Sequence, residues 1–127
     1  MSVCLDSWAV LAWLDGEEPA RGRLGEILAE RPLMSWINTV EVYYRTERDH
    51  GRAAADGVAR SLRQVLELEL PGQARMIEVA RLKAAYPVAL ADCFAIATAA
   101  AHGRILLTGD PEIIGRPDLP CAVEDLR

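Results

Sequence analysis

Short apolar runs alternate along this chain with longer segments of helical periodicity, and that alternation restricts the fold more than any single residue does. A run of three or four apolar residues is too short for a stable helix but fits a strand buried on both faces. Such strands separated by helices mark an α/β domain with a mainly parallel sheet. Val3-Cys4-Leu5 opens the pattern, and Ser7 to Leu14 follows with Trp8, Leu11 and Ala12 at helical spacing. Pro19 suits a helix first turn, Leu24, Ile27 and Leu28 form an i, i+3, i+4 stripe, and Pro32 stops it. Leu33-Met34-Ser35 reads as the second strand.

The alternation continues to the end of the chain. A helix is expected from about Asn38 to Asp49, closed near Gly51, and another from Arg52 to Leu66 with Val58, Leu62, Val65 and Leu66 on one face. Leu68-Glu69-Leu70 alternates like a strand before Pro71-Gly72 breaks the chain. Residues 73 to 86 read as a helix with Met76, Ile77, Ala80 and Ala84 toward the core, ended by Pro87. Asp92 to His102 is an alanine-rich helix closed by Gly103, followed by a strand from Arg104 to Thr108. Cys121-Ala122-Val123 is the last strand expected, after a loop broken by Pro117 and Pro120. At 127 residues this is one domain, residues 1–127, large enough for a real core.

Composition excludes several classes of function. The chain is 51% hydrophobic and 26% charged, the balance of an ordinary soluble protein. No segment matches a signal peptide, and the near-apolar stretch 88–101 falls short of the roughly 20 residues that span a bilayer. A cytoplasmic location with no membrane contact is expected by elimination. Three cysteines (Cys4, Cys93 and Cys121) lie in apolar stretches and read as buried hydrophobes rather than a disulfide framework. With only His50 and His102 and no C-x-x-C pair, zinc is not expected. The net charge of −5 argues against tight nonspecific binding of nucleic acid through bulk charge, but not against a nucleic-acid substrate. Arginines do cluster, Arg45, Arg48 and Arg52 in one group and Arg21 and Arg23 in another, although solvated helix faces explain either group equally well.

The chemistry rests on acids. Asp6, Glu41, Asp92 and Asp110 each stand where an apolar run gives way to a helix start or turn. Every one has a structural alternative, helix capping. Asp6 can cap the helix that begins at Ser7, Asn38-x-x-Glu41 resembles a capping box, Asp92 can cap its own helix, and Asp110 precedes Pro111 as caps often do. Capping needs only a side-chain oxygen, however, and neutral Ser7 and Thr108 stand beside two of the acids. Asp92 lies in so apolar a stretch that its ionised form costs on the order of several kcal/mol unless paired or metal-bound. No lysine or arginine lies within four residues of it on that helix.

In open parallel sheets ligands bind beyond the carboxyl ends of the strands, where these acids would converge. Oxygen-only ligands suit Mg²⁺ or Mn²⁺. Asp6, Asp92 and Asp110 are therefore the expected metal ligands, and Glu41 a further ligand or the group that orients an attacking water. Ser7, Asn38 and Thr108 are the neutral side chains expected to support them. Glu112 reads as a solvated turn residue. Such a site implies hydrolysis of a phosphodiester.

Four blocks in this order resemble the PIN-domain ribonucleases, and among them the VapC toxins of toxin–antitoxin modules. They are the apolar run into Asp6-Ser7, Asn38-Thr39-Val40-Glu41, Leu90-Ala91-Asp92-Cys93-Phe94-Ala95-Ile96-Ala97-Thr98-Ala99, and Leu106-Leu107-Thr108-Gly109-Asp110. The likeness covers nearly the whole chain. It implies a three-layer αβα sandwich and a Mg²⁺- or Mn²⁺-dependent endoribonuclease whose RNA substrate is cut in single-stranded or loop regions. It further implies a homodimer neutralised by a VapB-like antitoxin, with DNA contacted only through that antitoxin. Arg45, Arg48 and Arg52 become candidate phosphate contacts, and Trp8, Trp13, Leu24 and Leu28 candidate partner contacts. Pro111-Glu112-Ile113 departs from the aspartate and aromatic that relatives often carry after the fourth acid, so a fifth acidic ligand is not expected. Two alternatives compete: a catalytically silent PIN-like module that binds RNA or protein, and an aspartyl-phosphate phosphatase or receiver. The latter is disfavoured because Trp8 stands where a phosphatase needs a second aspartate and Lys83 is the only lysine.

Overall fold

Strand residues buried on both faces organise the architecture. The computed structural model describes residues 2–127. In chain order its elements are β1 (Val3–Leu5), α1 (Ser7–Leu14), α2 (Ala20–Ile27) extended by a 3₁₀ turn at Leu28–Glu30, β2 (Leu33–Ser35), α3 (Trp36–His50), α4 (Arg52–Val65), β3 (Glu67–Glu69), α5 (Gln73–Ala85), α6 (Leu90–Ala101), β4 (Ile105–Thr108) and β5 (Val123–Asp125). The strands pair in the order β3-β2-β1-β4-β5, all parallel.

Successive strand side chains point to opposite faces, so each strand feeds two cores. Val3, Leu5, Met34 and Leu107 pack on one side with Val10 of α1, Leu24 of α2 and Leu62 of α4. Cys4, Leu33 and Leu106 pack on the other with Val79 of α5 and Phe94 and Ile96 of α6. Helices on both faces of a parallel sheet make the expected three-layer sandwich. Strand order reverses between β1 and β4, where Leu5 is registered with Leu107. That reversal opens a crevice at the carboxyl ends of these two strands, where Asp6 and Asp110 follow.

Several boundaries differ from the sequence reading. The Ser35 hydroxyl accepts a hydrogen bond from the Ile37 amide at 3.2 Å, so α3 starts directly at the end of β2. Asn38 is therefore inside the helix, and the Asn38–Glu41 capping box does not form. Likewise Ala89 is the N-cap of α6, which puts Asp92 within its first turn. On α5 the inward residues are Arg75, Val79 and Leu82, not Met76, Ile77, Ala80 and Ala84, which are all exposed. The last strand lies two residues beyond the expected one. Leu24 is fully buried and cannot meet a partner, whereas Trp8, Trp13 and Leu28 are partly buried against the core. Cys4 and Cys93 are buried free thiols. Among the described residues no single helix is long and apolar enough to cross a membrane.

Candidate metal centre

Asp6 leaves β1 and caps α1, its Oδ1 accepting the Ala9 amide at 2.8 Å. Capping and a place in the site thus coexist in one carboxylate. Its Oδ2 accepts a short hydrogen bond from the Thr108 hydroxyl, across the β1–β4 seam. The Thr108 oxygen also accepts the amide of Asp110 at 3.0 Å. One hydroxyl at the end of β4 therefore fixes two acids at once. Asp110 Oδ1 in turn accepts the Glu112 amide at 2.9 Å, and the amides of Ile113 and Ile114 bond back to the Asp110 carbonyl. With Ile113 fully buried, this tight turn brings Glu112 beside Asp110.

The third side of the centre comes from α6 and α3. Asp92 is 7% exposed, and its Oδ2 is buried with no hydrogen-bond partner. Its place in the first turn of α6 puts it at the positive end of the helix dipole, which favours an anion. Asn38 Nδ2 donates to the Ala91 carbonyl at 3.0 Å and so braces the start of α6 against α3. Glu41, one turn along α3, has Oε1 held by the Ser7 hydroxyl at 2.7 Å and Oε2 3.5 Å from Arg45.

Oxygens of Asp92, Asp110 and Glu112 all lie within 4.8 Å of one another. Glu112 is an exposed turn residue, as expected, but one of its oxygens stands with those of Asp92 and Asp110. The Asp-Pro-Glu spacing is the available signal, because an aspartate that accepts the amide two residues on folds the chain back and keeps that residue beside it. Asp6 is outside this triplet; it is 1% exposed, its oxygens accept from Ala9 and Thr108, and Asp110 and Glu41 are its charged neighbours. Arg45 borders the site through Glu41. Arg48 and Arg52 pair with Asp49 and Glu47 farther from the acids. A cation the sequence reading passed over, Arg116, donates Nε to the Glu112 carbonyl at 2.8 Å.

Crowded carboxylates that are also buried resist ionisation. Burial pushes Asp6 up to about 7 against the hydrogen bonds from Thr108 and Ala9, with Asp110 and Glu41 adding to the rise. Burial pushes Asp92 up to about 8, reinforced by Asp110, Asp6 and Glu112. A hard divalent cation answers each of these features. The donors are all oxygen, the spacing needs only small side-chain adjustments, and the unpartnered Asp92 oxygen is the kind of group a cation satisfies. Among the described residues, no other cluster of this kind is found.

The PIN domain family model matches residues 3–117. The chain belongs to the PIN domain family. No curated protein sequence matches it, but solved structures do. The DNA-bound VapBC of Salmonella typhimurium superposes with a TM-score of 0.80 at 19% identity, covering 100% of this chain and 99% of that one. A Klebsiella pneumoniae toxin–antitoxin complex gives 0.76 at 20% identity, covering 95% and 99%. The sarcin–ricin loop cleaving toxin VapC20 of Mycobacterium tuberculosis gives 0.69 at 16%, covering 86% and 90%. At such identities the likeness shows the fold that this PIN domain shares with them.

Thr108 is the residue whose loss should separate support from ligation in this PIN domain. Thr108→Val keeps the shape but removes both the bond to Asp6 and the acceptor for the Asp110 amide. Mn²⁺ affinity should fall by about 10–100-fold with the fold retained, as titration calorimetry and circular dichroism would report.

Proposed function

We propose that this PIN domain protein is a Mg²⁺- or Mn²⁺-dependent endoribonuclease, the toxin of a cytoplasmic toxin–antitoxin pair. The observation that carries the reading is the acidic triplet of Asp92, Asp110 and Glu112 at the switch point of a parallel sheet, in which Asp92 also keeps a buried oxygen without a hydrogen-bond partner. Asp92, Asp110 and Glu112 would hold the ion, with Asp6 reinforcing the negative field. A bound Mg²⁺ or Mn²⁺ supplies charge neutralisation and acidified water. Glu41, with one oxygen fixed by Ser7, would orient the water that attacks the phosphodiester. Arg45, which pairs with Glu41, and Arg116, which bonds the Glu112 carbonyl, are the cations we assign to backbone phosphates ahead of Arg48 and Arg52, which pair with Asp49 and Glu47.

Family membership supports the nuclease reading, and the VapBC complexes among its structural neighbours support a VapB-like antitoxin as partner. A cleft of about 260 Å³ between α1, α3 and α4, lined by Leu11, Leu14, Arg45, His50 and Val58, is the surface we assign to it. A homodimer belongs to the same proposal. Val40 and Tyr44 on α3 and Met76 and Ile77 on α5 are large apolar side chains left exposed for it to cover. The test is incubation of purified protein with a structured RNA and Mn²⁺, with the new ends mapped. Cleavage at discrete single-stranded positions is expected; equal cleavage in EDTA removes the metal reading, and Mn²⁺ binding without cleavage leaves a binding module.

A further inference from the structure

The segment that carries Asp110 rests on an aromatic ring. A Cβ at position 109 would lie 2.2 Å from Cη2, 2.3 Å from Cζ2 and 2.4 Å from Cζ3 of Trp8. Neighbouring ring atoms at nearly equal range mean that Gly109 is seated over the face of the six-membered ring, not against its edge. A side chain at 109 would force the indole or the segment to shift, since real Cβ contacts are essentially never that short. We propose that Trp8 is a positioning residue for Asp110: its ring sets the height of the Thr108-Gly109-Asp110 segment, and through it the separation of Asp110 and Glu112 from Asp92.

The argument is one of shared anchorage. Trp8 belongs to α1, whose cap is Asp6 and whose Ser7 holds Glu41. The ring thus ties the half of the centre built on β1 and α1 to the half built on β4. Thr108 supplies the polar tie between the same halves, through Asp6 and the Asp110 amide. Two ties on successive residues, one polar at Thr108 and one of packing at Gly109, leave Asp110 little freedom. An ion requires that, because Mg²⁺ tolerates little departure from octahedral geometry.

This proposal rests on the metal centre described above, and its test reads metal binding without RNA. Mn²⁺ titration calorimetry is run on the unaltered protein, Trp8→Phe, Trp8→Ala, Gly109→Ala and the Trp8→Ala/Gly109→Ala pair, each with a thermal melt. Gly109→Ala is expected to weaken Mn²⁺ binding by about tenfold or more. Trp8→Phe and Trp8→Ala both remove Cη2, Cζ2 and Cζ3 from under Gly109 and should each weaken Mn²⁺ binding, and normal affinity in both overturns the proposal. In the double variant the added methyl occupies space the indole has left, so its affinity should exceed that of Gly109→Ala alone. If Gly109→Ala is too unstable to titrate, the double variant against Trp8→Ala decides: equal affinity is expected, and a further loss of tenfold overturns the proposal. Normal Mn²⁺ affinity in Gly109→Ala, or losses that simply multiply in the double variant, overturns this positioning role alone. Absence of any Mn²⁺ site in the unaltered protein overturns the metal centre and this proposal with it.

Discussion

Asp92→Asn is expected to abolish RNA cleavage and yet to raise the melting temperature of the metal-free protein at pH 8. The two effects have one origin. Asp92 is buried among Asp110, Asp6 and Glu112, which with burial push it up to about 8. Its ionised form is costly in the folded chain unless a cation compensates. Asparagine keeps the shape and offers a neutral amide, so it relieves that cost, on the order of 2 kcal/mol, or roughly 5–10 °C for a domain of this size. The same change removes an anionic ligand. Loss of about 4 kcal/mol of transition-state stabilisation corresponds to about 10³-fold in rate. End-labelled RNA and melting curves in EDTA measure the two halves. Undiminished cleavage would remove Asp92 from the site, and a lower metal-free melting temperature would show that its charge is already satisfied within the protein.

How much of this was legible in the sequence depends on what kind of contact carried the signal. The β1 and β4 runs were readable because strands buried on both faces must be apolar throughout, and the carboxylates after them mark the crevice directly. The inward face of α5 was not, because it begins with a charge. Arg75 is nearly buried between Glu69 and Glu78, and counting apolar residues selects Met76 and Ile77 instead. The start of α3 was missed because Ser35 serves as the end of β2 and as the cap of α3 at once, leaving no loop to notice. Asp92 looked like a cap because caps and first-turn acids differ by a few residues, and the helix dipole favours both. Glu112 reads as a solvated turn residue, which it is, but the Asx turn at Asp110 that keeps it beside the acids was open to prediction. Trp8 over Gly109 is a contact between α1 and the loop after β4, and no local pattern announces it.

Metal-free protein should lose stability steadily as pH rises from about 4 to 8, and Mn²⁺ should reverse the trend. Unfolded, both Asp6 and Asp92 ionise near pH 4. Folded, burial holds Asp6 up at about 7 and Asp92 at about 8. Between these limits the native state keeps protons that the unfolded chain has released. Stability is therefore greatest below the unfolded value and falls as pH climbs through the folded ones. Carboxylates depressed in the folded state act in another window. Asp49 is lowered by its bond to Arg48, and in Glu69 the bonds from Arg75 and His102 outweigh the opposing burial. Their contributions disappear only in more acidic solution, as pH falls through their folded values, and leave the slope from pH 5 to 8 to the buried pair. Mn²⁺ binds the ionised carboxylates and must displace their protons, so its affinity grows across the same range. At a thousandfold excess over Kd it adds about 4 kcal/mol to the folded state. Melting curves at pH 5, 6, 7 and 8 should thus decline in EDTA and level off or rise with Mn²⁺, the gap widening at each step. A flat EDTA series would mean that Asp6 and Asp92 ionise freely in the fold, and parallel series would mean that the ion does not compete with their protons.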